Sequence, residues 1–141
     1  MEDSYHLGIK GLIRDAKGKI LLLQVNPAKL NGKNYWDLPG GRVQQGGSVE
    51  ETLQREIAEE IGITELTSIK PLAMVLSNIR IPVGDGSVGL ILGIYQCSIA
   101  PTSDIIISDE HIASGWFEPA KAAELLKEKY PKDFCEVIAA I

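Results

Sequence analysis

Residues 36–63 read WDLPGGRVQQGGSVEETLQREIAEEIGI, and this stretch decides how the rest of the chain is read. Its second half carries both ends of a helix. Ser48 is a good N-cap, and Glu51 three residues on completes a capping box. Gly62 stands just past the last turn, where a left-handed residue is favoured. Leu53, Ile57 and Ile61 recur every fourth residue as a narrow apolar stripe, so one side packs. Beside it Glu56, Glu59 and Glu60 stand at i, i+3 and i+4 and crowd three carboxylates onto one face. Like charges so placed repel by roughly a few tenths of a kcal/mol per pair, a penalty that a cation would remove.

Before the helix, Pro39-Gly40-Gly41 and Gly46-Gly47 make a loop in which a backbone carbonyl or N–H can approach a ligand closely. Carboxylates and exposed carbonyls are hard oxygen donors suited to Mg²⁺ or Mn²⁺. A hydrated divalent ion held by carboxylates usually accompanies phosphate substrates. Taken alone, an ExxEE run reads as a solvated acidic helix face. The surrounding residues change that reading.

In register, without insertion or deletion, Gly41, Arg55, Glu56, Ile57, Glu59, Glu60, Gly62 and Ile63 match the pattern G-x5-E-x7-R-E-U-x-E-E-x-G-U, with U apolar. The stretch therefore resembles the Nudix hydrolase box. One position departs: Gly47 stands where the family has its first glutamate, usually a supporting acid near the metal shell and the box arginine. Gln44 occupies another place that is commonly acidic, so the loop is poor in charge.

Working outward, 141 residues make one domain long enough to bury a real core. With 45% hydrophobic and 23% charged residues it reads as soluble and globular. A net charge of −5 argues against a broad nucleic-acid-binding face. Met1-Glu2-Asp3 opens no signal peptide, and no apolar run approaches a membrane span, so the cytoplasm is the expected compartment. Cys97 and Cys135 have no metal-ligand spacing and read as reduced thiols.

His6 to Arg14 and Ile20 to Val25 are β-prone, with a turn at Asp15-Ala16-Lys17-Gly18, which predicts a hairpin. Pro27 to Lys33, with Asn31-Gly32, reads as a loop. Leu66 to Ile81 and Val88 to Ile99 predict a second, long hairpin. Ile105-Ile106-Ile107 reads as a short buried strand or strand edge, followed by Ser108-Asp109-Glu110-His111 and then Gly115-Trp116-Phe117. Pro119 to Glu128 and Asp133 to Ile141 read as helices, the first with proline in its first turn.

The resemblance implies an α/β (α+β) fold, the Nudix-type α/β/α sandwich around a mixed β-sheet. It implies hydrolysis of a nucleoside diphosphate linkage by water attack on phosphorus, with Mg²⁺ or Mn²⁺. Glu56, Glu59 and Glu60 are the implied metal ligands, with the Gly40 carbonyl as a further donor. Arg55 would orient the glutamates by ion pairing, and Glu51 or Glu59 would serve it in place of the acid missing at position 47. Glu56 and Glu110 are both candidates for the general base, Glu110 because an acid in that loop of the family approaches the metal from outside the box.

Trp36 falls where the family can line the nucleotide pocket, although an aromatic there also reads as core. Arg80, near a loop, is a candidate phosphate contact, or else a solvent-facing arginine at a strand end. His111 reads as a structural residue before a catalyst. A nucleoside triphosphate is the favoured substrate and homodimerisation occurs in the family. The competing reading, favoured by Gly47, is a nucleotide-binding module with little or no hydrolysis; a purely structural domain would leave the clustered carboxylates unexplained.

Overall fold

The structure, a computed structural model, describes residues 1–30 and 32–141. The Asn31 half of the predicted Asn31-Gly32 loop lies outside the described residues. The elements are β1 (Tyr5–Ile13), β2 (Ile20–Val25), β3 (Trp36–Asp37), β4 (Gly40–Arg42), α1 (Val49–Ile61), β5 (Ser68–Leu76), β6 (Ile81–Val83), β7 (Gly86–Ser98), β8 (His111–Phe117), α2 (Pro119–Leu126) and α3 (Lys132–Ala139). They form a mixed sheet ordered β4-β1-β7-β5, with β6 on β7, and an antiparallel sheet β3-β2-β8. The mixed character comes from β1 and β7, which run parallel from Tyr5 opposite Gly89 to Ile13 opposite Cys97.

Two strands feed both faces of the molecule. Ile9 and Ile13 of β1, with Leu21 and Leu23 of β2, pack on Leu53, Ile57 and Ile61 of α1. Their neighbours Leu12, Ile20 and Leu22 pack on Ala122 and Leu126 of α2 and on Phe134 and Ile138 of α3. This period of two between opposite faces makes the α/β/α sandwich that the box implied.

The same pattern corrects the first hairpin. The turn forms, with the Asp15 carboxylate accepting from the Lys17 and Lys19 amides and Gly18 at φ 82°. Yet β1 and β2 share only the bridge Arg14–Ile20 and then part into different sheets. Each strand is apolar on both faces and takes a central place, β1 between β4 and β7, β2 between β3 and β8. The second hairpin stands as read, β5 pairing antiparallel to β7 with a register shift at Pro71, which has no N–H to give the ladder.

Ile105–Ile107 is not a strand. Ile106 is 69% exposed, while Ile105 and Ile107 touch the α1 core. The segment spends its amides on the end of α1: Ile106 N–H donates to the Ile61 carbonyl at 3.0 Å and Ser108 N–H to the Glu60 carbonyl at 3.1 Å. Among the described residues no helix is long and apolar enough to cross a membrane.

Candidate active site

The ends of α1 follow the sequence at Ser48 and Gly62, while among the described residues the Glu51 half of the capping box does not form. Ser48 Oγ accepts from the Glu51 N–H at 3.2 Å, and Gly62 takes the left-handed conformation at φ 73° while its N–H reaches the Ala58 carbonyl. The apolar stripe is fully buried, which turns the acidic face toward the β3–β4 turn.

Two glycines allow that approach. Gly40, at φ 146°, lies so close to β1 that a β-carbon would strike the backbone of Ile9, and its N–H donates to Glu60 Oε1 at 2.6 Å. A β-carbon on Gly41 would fall within the Glu56 carboxyl group. The turn and the helix therefore meet through backbone and carboxylates alone.

The three box glutamates differ in environment. Glu60 is 6% exposed, and burial pushes its acid up to about 7, the negative charges of Asp37 and Glu56 adding to the shift. Glu56 is half-buried and lies 3.4 Å from the Arg55 guanidinium. Glu59 is exposed and 3.9 Å from Arg55, so Glu59 and Glu56, and not Glu51, partner that arginine.

The carboxylates and carbonyl here suit a hard divalent cation in donor type. Glu60, desolvated beside a second carboxylate, is a group whose charged form a cation would favour. Among the described residues no three His, Cys, Asp or Glu side chains stand assembled around one point, since Glu59 turns out to Arg55 while Glu60 turns inward. The donor chemistry fits, with Glu59 held beside Arg55 in this arrangement.

By crossing the end of α1, residues 106–108 bring the following acidic turn to the same place. Glu110 is exposed at the rim, and His111 Nε2 stands 3.8 Å from Glu60 Oε2, beyond hydrogen-bond reach. Burial pushes His111 down to about 4, so its ring is neutral near pH 7. Its Nδ1 and the Ser108 Oγ are buried without a hydrogen-bond partner.

These groups open on a cleft of about 670 Å³ that Glu60, Glu110, His111, Gly40 and Gly41 line from one side. Lys33 and Arg42 stand at its exposed edge. Arg80 lines it too, but its guanidinium grips Asp3 at 2.7 and 3.1 Å and Ser87, so this arginine is already partnered. Trp36 is turned away, packed edge-to-face on Phe117 with ring centres 5.1 Å apart, and the neighbouring Tyr35 lines the cleft instead.

A buried charge cluster on the cleft floor went unread in the sequence. Asp37 Oδ2 accepts from Lys10 Nζ at 3.1 Å and from Lys129 Nζ at 2.5 Å, while Oδ1 accepts from the Tyr130 hydroxyl and the Leu38 N–H. The two lysines hold the Asp37 carboxyl well below the usual carboxylate range. Attraction to Asp37 and Glu60 raises Lys10 despite its burial, whereas burial with a second ammonium alongside pushes Lys129 down to about 8. The one visible signal was Lys10, a lone charge inside the apolar run of β1.

A family model described as the NUDIX domain matches residues 4–136. Over 93 residues the chain is 37% identical to the nucleoside triphosphatase NudI of Salmonella paratyphi B, covering 62% of this chain and 64% of that protein. Over 61 residues it is 39% identical to the 8-oxo-dGTP diphosphatase of Haemophilus influenzae, covering 41% and 42%. The crystal structure of a MutT protein from Methanosarcina mazei superposes with a TM-score of 0.70 at 27% identity, covering 99% of this chain and 94% of that one. The chain thus spans about two thirds or less of the length of these curated relatives, yet the family match runs nearly from end to end. On that match, and on a box helix seated against its glycine turn as the motif requires, the chain belongs to the Nudix hydrolase family.

Proposed function

We propose that this cleft hydrolyses a phosphoanhydride of a nucleoside triphosphate with Mg²⁺ or Mn²⁺. The observation that carries the reading is Glu60, buried at the cleft wall against the Gly40 N–H with Glu56 alongside. The names of its relatives, a nucleoside triphosphatase and an 8-oxo-dGTP diphosphatase, support the triphosphate as the substrate class.

Glu56, Glu59 and Glu60, with the Gly40 carbonyl, would hold the divalent cation. Bound there, it would supply positive charge that neutralises the diphosphate and acidifies a water. Arg55 positions Glu56 and Glu59. Water attacks phosphorus, the anhydride P–O bond breaks, and its electron pair leaves with the departing phosphate or pyrophosphate. The water's proton goes to Glu56 or Glu110. Glu110→Gln separates the two: loss of turnover with nucleotide binding retained assigns the base to Glu110, and retained turnover leaves Glu56. Arg80 would reach a phosphate only by exchanging Asp3 for it.

The test is release of phosphate and pyrophosphate from a triphosphate panel with Mg²⁺, Mn²⁺ or EDTA. Metal-stimulated turnover is expected in the wild type, and Glu59→Gln and Glu60→Gln each lower it by at least ~10²-fold, the scale of a lost electrostatic group. Equal turnover in both variants would reject the assignment. Gly47, where the family's first glutamate stands, favours one other reading, a module that binds nucleotide without hydrolysis. Saturable binding with no metal-stimulated release would establish it.

A further inference from the structure

Lys10, Asp37 and Lys129 are each less than a tenth exposed, yet all three line the cleft. Asp37 is spent: its two oxygens take two ammonium groups, a hydroxyl and an amide, which fills a carboxylate's acceptor sites. Each ammonium has three N–H groups. Lys10 gives one to Asp37 and points another at the Gly40 carbonyl, 3.5 Å away; Lys129 gives one to Asp37. Among the described residues, one N–H of Lys10 and two of Lys129 remain without a hydrogen bond. The three side chains thus carry a net positive charge, with Glu60 the further carboxylate near Lys10, and present donors and no acceptor.

Apolar side chains share the cleft with its charged groups. Tyr35 lies beneath Lys129, whose nitrogen is 5.9 Å from the ring centre, and Ile79, Ile81, Leu90 and Leu92 give the cleft an apolar stretch of wall. Such a slot suits the flat face of a base better than a phosphate, which the carboxylate-bound cation and the exposed Lys33 and Arg42 would serve. A buried unpaired ammonium is costly, and a ligand that brings acceptor oxygens to it offsets that cost. Burial pushes Lys129 down even with Asp37 as its partner, with the neighbouring Lys10 charge adding to the shift. The Tyr35 hydroxyl both donates and accepts, and neutral His111 has one nitrogen of each kind, so neither discriminates.

We infer that Lys10 and Lys129 read the substrate base and select those with a keto oxygen at purine position 6 or pyrimidine position 4 over those with an amine there. The inference rests on the nucleotide reading above. An exocyclic amine would set donor against donor and leave the ammonium groups unmatched, whereas a keto oxygen accepts from them.

Calorimetric titration in Mg²⁺ with GMP, IMP and UMP against AMP and CMP tests this without any anhydride to hydrolyse. The three keto nucleotides should bind at least about 10-fold tighter than the two amino nucleotides. Lys129→Met should shrink that advantage to about 3-fold or less by weakening the keto ligands. Equal affinity for all five, a preference for AMP and CMP, or no binding overturns the inference. So does a Lys129→Met variant that weakens all five alike, since the lysine would then be meeting phosphate. If that variant does not fold, the wild-type ratios still decide. Triphosphate turnover is read separately: keto-selective binding without hydrolysis rejects the hydrolase reading and keeps this one, and hydrolysis with base-blind binding does the reverse.

Discussion

Gly41 has no room for a β-carbon, because the Glu56 carboxyl stands where it would go. The obstacle is the end of a flexible side chain, so Gly41→Ala should cost the fold less than about 1 kcal/mol while displacing a carboxylate that has to be placed closely. Misplacement by about 1 Å can cost ~10²-fold in rate, and a fall of at least ~10-fold in metal-stimulated turnover at near-unchanged denaturation midpoint is expected. Unchanged turnover would mean that Glu56 is not needed where it stands. Lys129 gives a pH signature instead. Its folded value of about 8 lies below the ordinary 10.5, so between those values the unfolded chain binds more protons and stability rises with pH. The facing charges that belong with it, Lys10 and Asp37, titrate outside this window, Lys10 above it and Asp37 far below. Thermal melts from pH 8 to 9.5 should show the wild type gaining on Lys129→Met; parallel curves would contradict the depressed ammonium.

At the scale of the element, α1 was legible because everything that defines it is local. Ser48 caps it and Gly62 ends it within the span of their own hydrogen bonds, and both are where the sequence put them. Ser48→Ala removes the acceptor for the Glu51 N–H and should lower stability by about 1 kcal/mol, read as a shift in the denaturant midpoint; no shift would show the cap to be replaced by water. Pairing between strands was less legible because it is not local. The Asp15–Gly18 turn is present as predicted, yet its flanking strands go to different sheets, since both faces of β1 and β2 are apolar and each needs neighbours on either side. The Ile105–Ile107 run looked like a strand by composition. What decides its conformation is the row of unpaired carbonyls at the end of α1, which takes its amides. That same exchange brings His111 beside Glu60 and Glu110 to the rim of the same cleft, so a misread element still places both near the acidic face.

Across the whole molecule, the Lys10–Asp37–Lys129 cluster ties the mixed sheet, the antiparallel sheet and the segment between α2 and α3 to one point. Its members lie 27 and 92 residues apart in sequence, which is why motif spacing could not find them. Only the fold brings them into contact, and the hydrogen bonds that close the cluster come from Tyr130 and the Leu38 backbone. Asp37 is the ion-pair partner of both buried cations, so neutralising it removes the anion they share and leaves Lys129 without one. Breaking a buried pair from one side typically costs about 3–5 kcal/mol, a large part of the 5–15 kcal/mol that holds a domain together. Asp37→Asn should therefore lower the unfolding free energy by that order in chemical denaturation. Removing all three charges is a different change, since Lys10→Met, Asp37→Leu and Lys129→Met together remove the ion pairs whole, and only the Tyr130 hydroxyl and Leu38 N–H lose their acceptor. The triple variant should recover most of what Asp37→Asn loses while lacking the donors on the cleft floor. A stable triple variant with weakened nucleotide binding would show that the charges serve recognition more than folding; a triple variant as unstable as Asp37→Asn would show instead that the layers depend on the cluster itself.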